Sequence, residues 1–273
     1  MKISIIGCGW LGLPLGEFLV QKGYEVKGST RTESKLKTIE KKGMSPFLID
    51  LELVINNEKA VKNEDDFFKT DILYINIPPT RSNPNIETDY PKWMQFLIQK
   101  CEQFGIQKVI FVSSTGVYPN TETVVNEETP LEAKTASQRV LIHTEQLLMN
   151  NKKFKTTILR PAGLVGGNRI AGRWFAGRKN VSGGNIPANL VHLEDCIGIS
   201  YEIIRQDVFN QIFNMCASEH PPKVKLYIAQ AVKYGFEEPT FQMDTPKDFK
   251  VINNEKSKQI LNYRYKKEDP MDF

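Results

Sequence analysis

A short apolar run, Ile3–Ile6, opens the chain, and apolar positions at helical spacing follow over Leu11–Lys22, ending at Gly23. The alternation then repeats. Glu25–Gly28 predicts a second strand, and Thr32–Lys42 a charged amphipathic helix closed by Gly43. Phe47–Ile49, Ile72–Ile77 and Val109–Ser113 predict further strands, with Pro91–Phe104 and Thr135–Met149 as intervening helices and Thr156–Leu159 as another strand. Each strand is short, apolar and nearly unbroken, as in a strand covered by helices on both faces. The expected fold is α/β, a doubly wound parallel sheet with right-handed crossovers.

After Arg160-Pro161 the character changes. Ala162–Asn189 is crowded with glycine and carries Arg169, Arg173 and Arg178, too glycine-rich for a regular helix or strand. Val191–Arg205 returns to a strand-end and helix pattern, Ile212–Met215 is strand-like, and Val224–Tyr234 and Glu255–Leu261 predict helices. The expected organisation is a core over residues 1–165, continued by about 190–215. Residues 166–189 and 216–273 form a smaller C-terminal α/β lobe on the substrate side.

Composition adds mostly exclusions. At 40% hydrophobic and 25% charged residues, the chain is an ordinary globular one. A net charge of +4 without long blocks of like charge leaves no nucleic-acid footprint. Cys8, Cys101, Cys196 and Cys216 are widely spaced, which excludes a disulfide framework or a zinc site and fits a reducing cytoplasm. Ile5-Ile6-Gly7-Cys8 has the look of a lipoprotein cleavage site, but too few apolar residues precede it for a signal peptide, whose core needs about 7–15. No apolar run reaches the roughly 18–20 residues of a membrane span, so no membrane is expected as a partner.

The strongest chemical signal lies in the first turn. Gly7-Cys8-Gly9-Trp10-Leu11-Gly12 places Gly-x-Gly-x-x-Gly between a strand and a helix, heading the βαβ series of a Rossmann fold. Gly7 allows the tight turn, Gly9 admits a pyrophosphate to the backbone, and Gly12 lets helix and strand pack closely. Trp10 and Leu11 lie within the same cofactor-contacting turn. The helix start offers free N–H groups to phosphate. At the end of the second strand, NAD-binding chains place an acid for the ribose hydroxyls. Here Ser29-Thr30-Arg31 stands instead, two hydroxyls and a cation that can pair with a 2′-phosphate, so NADP is expected rather than NAD. The alternative makes Arg31 a solvated surface cation.

With Val112-Ser113-Ser114-Thr115-Gly116-Val117-Tyr118, the chain resembles the extended short-chain dehydrogenase/reductases (SDRs), the nucleotide-sugar epimerase and dehydratase group, over nearly its whole length. Leu159-Arg160-Pro161, Leu190–Asp195 and Phe213-Asn214-Met215 carry the same likeness. Gly9–Gly12, Thr135–Leu141, Ala162–Gly166 and Gly172–Gly177 narrow it to the atypical YeeZ-type branch. The resemblance implies that Ser114 occupies the catalytic Ser/Thr position and that Asp50-Leu51 lies beside the adenine. It also implies that Ile77-Pro78-Pro79 lines the ribose and nicotinamide path.

Active relatives add a Tyr-x-x-x-Lys pair for proton transfer. Aligning Glu145 with the glutamate that follows that motif puts Ser137 at the tyrosine position and Leu141 at the lysine position, and no Tyr-x-x-x-Lys lies between Tyr118 and Met149. Lys134, one helical turn before Ser137, is the candidate replacement; otherwise it is a solvated lysine. Tyr118 is expected to pack beneath the site, and His143 to face solvent or a partner. Relatives often dimerise through two helices, for which Pro91–Phe104 and Thr135–Met149 are the candidates of a homodimer.

Arg169 and Arg173 stand at the carboxyl edge of the sheet, where open α/β folds bind ligands, and could cradle an anionic small molecule. The alternative is a surface loop with scattered cations. His192 and Asp195 are expected to join a local hydrogen-bond network rather than a metal site. Two functions remain open. One is an NADP-dependent epimerase-, dehydratase- or reductase-like enzyme on a nucleotide-sugar-like substrate. The other is a non-catalytic NADP-binding redox sensor or partner-binding protein. The turn and fold serve both.

Overall fold

The structure, a computed structural model, describes residues 1–55, 64–80, 83–245 and 247–273. In chain order the elements are β1 (Lys2–Ile6), α1 (Gly12–Gln21), β2 (Glu25–Thr30), α2 (Leu36–Lys41), β3 (Ser45–Leu48), α3 (Leu51–Ile55) and α4 (Glu64–Phe68). There follow β4 (Ile72–Ile75), α5 (Ile86–Phe104), β5 (Lys108–Val112), β6 (Val124–Val125), α6 (Ala136–Asn150), β7 (Lys155–Pro161) and β8 (Gly163–Val165). The chain closes with β9 (Leu190–His192), α7 (Leu193–Gln206), β10 (Ile212–Met215), α8 (Lys223–Lys233), β11 (Val251–Ile252) and α9 (Glu255–Leu261).

One parallel sheet runs in the order β10-β7-β5-β4-β1-β2-β3, with Ile5 opposite Gly28 on one side and Tyr74 on the other. The fold is thus a Rossmann-type doubly wound α/β sheet. The strand order reverses between β1 and β4, and a crevice opens at the carboxyl ends of strands at such a switch point. The central strands are buried throughout, Ile3, Ile5, Leu73, Tyr74 and Phe111 having no exposure. Inside β2, Lys27 is buried too. Its ammonium donates to the carbonyls of Asp66 and Lys69 and lies 3.7 Å from the Asp66 carboxylate, which pairs the charge.

Several boundaries differ from the sequence expectation. β2 runs on to Thr30, because Ser29 and Thr30 pair with Phe47 and Leu48 of β3. The predicted helix over 32–42 splits into a 3₁₀ turn, Glu33–Lys35, and α2. α5 starts at Ile86, ahead of Pro91, since buried Ile86 and Tyr90 hold its first turns despite the proline. The glycine-rich stretch after Pro161, expected to lack strand, contains β8. There Gly163 comes so close to β9 that an added Cβ would meet Leu190 Cδ2 at 2.7 Å.

Two compact units emerge. The first comprises residues 1–117, 133–159 and 203–212, and the second 118–132, 160–202 and 213–273. The second has its own apolar core, in which Val165, Leu190, Leu226, Tyr227 and Phe273 pack together. Its short strands pair as β6 with β11 and β8 with β9.

Candidate functional site

The turn after β1 is held from three sides. The Gly7 N–H donates to Ser29 Oγ at 3.0 Å, the Cys8 N–H to the Ser29 carbonyl at 2.8 Å, and Asn76 Nδ2 to the Gly7 carbonyl at 3.0 Å. Gly7 adopts φ of 97°, in the left-handed region that favours glycine. A Cβ at Gly12 would sit 2.3 Å from the Gly7 carbonyl oxygen, so helix and turn touch backbone to backbone. Gly12→Ala is therefore expected to lose about 1–3 kcal/mol of stability through overpacking, read as a lower urea midpoint. An unchanged midpoint would show that the turn relaxes freely.

Gly9 differs from both. It is exposed, and a Cβ added there would meet nothing within 4 Å. α1 begins with no side-chain cap and no acid in its first turn; the Leu13 N–H is taken by the Gly9 carbonyl at 3.1 Å and Pro14 has none to offer, so the N–H groups up to Gly12 and the helix dipole are what this end presents to an anion.

Beside the turn lies a cavity of about 310 Å³ in the first unit. Its wall includes Gly7, Cys8 and Gly9 from the turn, Ser29–Thr32 and Lys35 beyond β2, and Ile49–Glu52 after β3. Asn76–Pro78, Thr80 and Trp93 complete it. The site residues expected from sequence that line it are Gly7, Gly9, Ser29, Thr30, Arg31, Asp50, Leu51 and Pro78. Trp10, Leu11, Gly12 and Pro79 stand outside this wall. Ser29 is buried and its hydroxyl accepts the Gly7 N–H, so it braces the turn. Thr30 Oγ1 accepts the Thr32 N–H at 3.2 Å, and Asp50 Oδ1 the Glu52 N–H at 3.1 Å. Burial pushes the Cys8 thiol up to about 12, against its hydrogen bond to Ser29, so it stays an uncharged part of the floor.

Sequence reasoning missed Lys35, Asn76 and Trp93. Asn76 directly follows an apolar strand at the sheet's carboxyl edge, a signal that could have found it. Lys35 and Trp93 read only as helix surface and helix core. The residues present suit a dinucleotide: an uncapped helix start, a glycine with room for phosphate, and the cations Arg31 and Lys35 at the wall.

Ser114 follows β5, half-buried, its Oγ accepting the Gly116 N–H at 3.0 Å. Gln138 ties this loop to α6. Its Nε2 donates to the Gly116 carbonyl at 2.7 Å, and its Oε1 accepts the N–H groups of Lys134 and Thr135. Thr135 Oγ1 accepts the Gln138 N–H in return, a capping box. The helix begins only after Thr135, whose backbone is extended, so the expected one-turn relation between Lys134 and Ser137 does not hold. Lys134 is exposed, Ser137 half-buried, and Leu141 buried at 6% exposure. His143 is exposed.

In the second unit Tyr118 is buried, its hydroxyl donating to Asn214 Oδ1 at 2.8 Å and accepting from Arg160 Nη1 at 2.7 Å. Burial pushes the phenol up to about 12 although the Arg160 charge pulls it down. Such a group is a packing hub and a poor proton donor at neutral pH. Arg169 closes a tight turn with Gly166 and is exposed. The exposed Arg173 guanidinium lies 5.4 Å from the Phe236 ring centre, and that of Arg178 lies 5.7 Å from Phe175. His192 Nδ1 accepts the Glu194 N–H, while Asp195 accepts from the Tyr263 hydroxyl and from the N–H groups of Lys266 and Lys267. Among the described residues no acid, histidine and cysteine cluster could hold a metal, and no helix is long and apolar enough to cross a membrane.

Comparison with known proteins agrees with this geometry. Residues 7–191 match a family described as NAD(P)H-binding. Protein YeeZ of Escherichia coli (strain K12) is 35% identical over 99% of this chain and 97% of its own. Among solved structures, UDP-glucuronic acid 4-epimerase of Bacillus cereus, in complex with NAD, superposes with a TM-score of 0.79 at 17% identity, covering 97% of this chain and 92% of that one. UDP-glucose 4-epimerase of Thermotoga maritima, with UDP-glucose, gives 0.76 at 16% identity over 97% and 94%.

Proposed function

The chain belongs to the YeeZ family of NAD(P)H-binding proteins, and from that premise we propose that it holds NADP(H) in preference to NAD(H) and presents it to an anionic small molecule of the sugar-nucleotide kind. The observation that carries the cofactor choice is the end of β2. Arg31 and Lys35 line the cavity there, where an NAD-binding chain would place a carboxylate. Asp50 and Glu52 share that wall, but they follow β3, and Asp50 is already engaged by the Glu52 N–H. The turn from Gly7 to Gly12 and the α1 N–H groups would hold the pyrophosphate, and Asp50 and Leu51 would flank the adenine. The bound nicotinamide supplies hydride chemistry. Ser114 would offer its hydroxyl to a substrate oxygen.

The sugar-nucleotide class rests on the fold shared with the UDP-sugar epimerases, and Arg169 and Arg173 are the cations we assign to the substrate's charge. A second reading, a non-catalytic NADP-binding sensor, is favoured by one observation: Leu141, which we align with the lysine of active relatives, is a buried apolar residue. The four cysteines are free and buried, in keeping with a reducing cytoplasm.

Calorimetric titration tests the cofactor choice. NADPH is expected to bind more tightly than NADH. Arg31→Ala should remove roughly tenfold to hundredfold of that preference, the range of a hydrogen bond to a charged group, while leaving NADH affinity nearly unchanged. Equal affinities in the unmodified protein would overturn the assignment.

A further inference from the structure

We infer that the side-chain Oδ1 of Asn76 accepts a hydrogen bond from a hydroxyl of the cofactor's second ribose, the one that carries the nicotinamide. This rests on the cofactor site proposed above. Asn76 lines the cavity, half-buried, directly after β4. Its Nδ2 donates to the Gly7 carbonyl at 3.0 Å, and because a carbonyl only accepts, that bond fixes which way the carboxamide is turned. Oδ1, at its other end, accepts no hydrogen bond among the described residues. It is not enclosed either, since the buried side-chain N and O atoms without a partner there are Trp93 Nε1 and His220 Nδ1. The group is also held still. The Asn76 N–H donates to the Ile6 carbonyl at 2.9 Å, and a Cβ at Gly12 would lie 3.0 Å from Asn76 Nδ2. Next in the chain, the Ile77 carbonyl accepts the hydroxyl of the fully buried Tyr90 at 2.7 Å.

The order of the sheet gives this acceptor its place along the ligand. Across the carboxyl edge the strands run β3, β2, β1, β4, with neighbours about 4.8 Å apart. Asp50 and Leu51 follow β3, Arg31 follows β2, the glycine turn follows β1, and Asn76 follows β4. A dinucleotide is linear: adenine, ribose, pyrophosphate, ribose, nicotinamide. With the adenine assigned to the end of β3, the 2′-phosphate to β2 and the pyrophosphate to β1, the second ribose falls to β4. The chemistry of the atom agrees. Phosphate oxygens carry lone pairs and no hydrogen, so they repel a carboxamide oxygen, whereas a ribose hydroxyl donates to it.

ADP-ribose, which has the second ribose but no nicotinamide, is the probe, beside analogues that lack its 2″- or its 3″-hydroxyl. In the unmodified protein, one of the two deletions is expected to weaken binding roughly threefold to tenfold by calorimetry, the range of a hydrogen bond between neutral groups. Asn76→Ala should bind ADP-ribose and that analogue equally, because the acceptor is gone. Asn76→Asp keeps an acceptor and loses the donor to Gly7, so it should weaken ADP and ADP-ribose alike yet still discriminate against the analogue. Comparing ligands within one variant cancels any loosening of the turn, and the hydroxyl deletions decide the matter even if Asn76→Ala folds poorly. Indifference of the unmodified protein to both hydroxyls, or undiminished discrimination by folded Asn76→Ala, overturns the inference and leaves the cofactor site standing, provided Gly9→Val has lost ADP-ribose. ADP-ribose binding that persists in Gly9→Val, or none in the unmodified protein, overturns the cofactor site and this inference together.

Discussion

Gly9→Val is expected to abolish binding of NADPH and NADH alike, with a loss of at least about a hundredfold, on the order of 2.7 kcal/mol. The fold should survive it. A Cβ at Gly9 meets no atom within 4 Å, and the residue lies outside the positive-φ set, so a branched side chain enters open space without backbone strain. That open space adjoins the turn that leads into α1, whose backbone N–H donors up to Gly12 carry no side-chain cap. The valine methyls would occupy the place of the pyrophosphate, and displaced phosphate could not regain those donors elsewhere. Calorimetry should show no heat of binding, while the thermal midpoint stays within a few degrees of the unmodified protein. The contrast with Gly12→Ala makes the pair informative. There a single methyl strikes the Gly7 carbonyl, so stability falls before affinity is in question. Intact cofactor binding by Gly9→Val would show that the dinucleotide sits elsewhere.

Much of the site was legible because its logic is local. The spacing of Gly7, Gly9 and Gly12 between an apolar run and a helical pattern needs only neighbouring residues to be read, and the structure returns all three to one turn. The missing acid after β2 is likewise a local feature. What local reading could not reach was supplied by the sheet. Asn76 meets Gly7 because β4 pairs with β1 in register, across 69 positions of sequence. Trp93 reaches the cavity because α5 lies beside α3, which no periodicity within α5 reveals. Ser29 shows a subtler limit. A hydroxyl at that position suits a phosphate by type, yet its geometry commits it to the Gly7 N–H. Lys134 shows another limit: it precedes the expected helix start at Thr135, and the capping box of Thr135 and Gln138 leaves it outside α6, without the helical geometry that a one-turn relation to Ser137 needs.

Supplied with NADPH and carbonyl or sugar-nucleotide substrates, the unmodified protein is expected to turn over about 10²–10⁴-fold more slowly than a chain with a positioned proton-transfer group. Ser137 and Leu141 are four residues apart and so share a face of α6. Neither can act as the tyrosine and lysine of active relatives do, since a serine hydroxyl holds its proton too tightly and leucine has none to give. Ser137→Tyr with Leu141→Lys supplies both groups at the positions aligned with that pair. Because Leu141 is buried, the new lysine would be partly desolvated and its ammonium easier to deprotonate, at some cost in stability. Loss of absorbance by the reduced nicotinamide should then quicken about tenfold or more, with Leu141→Met alone as the packing control. Fast turnover by the unmodified protein would reverse this account. If that turnover survived Ser114→Ala and vanished in Lys134→Ala, the proton donor would be the lysine ahead of the helix cap, reaching the substrate from outside α6.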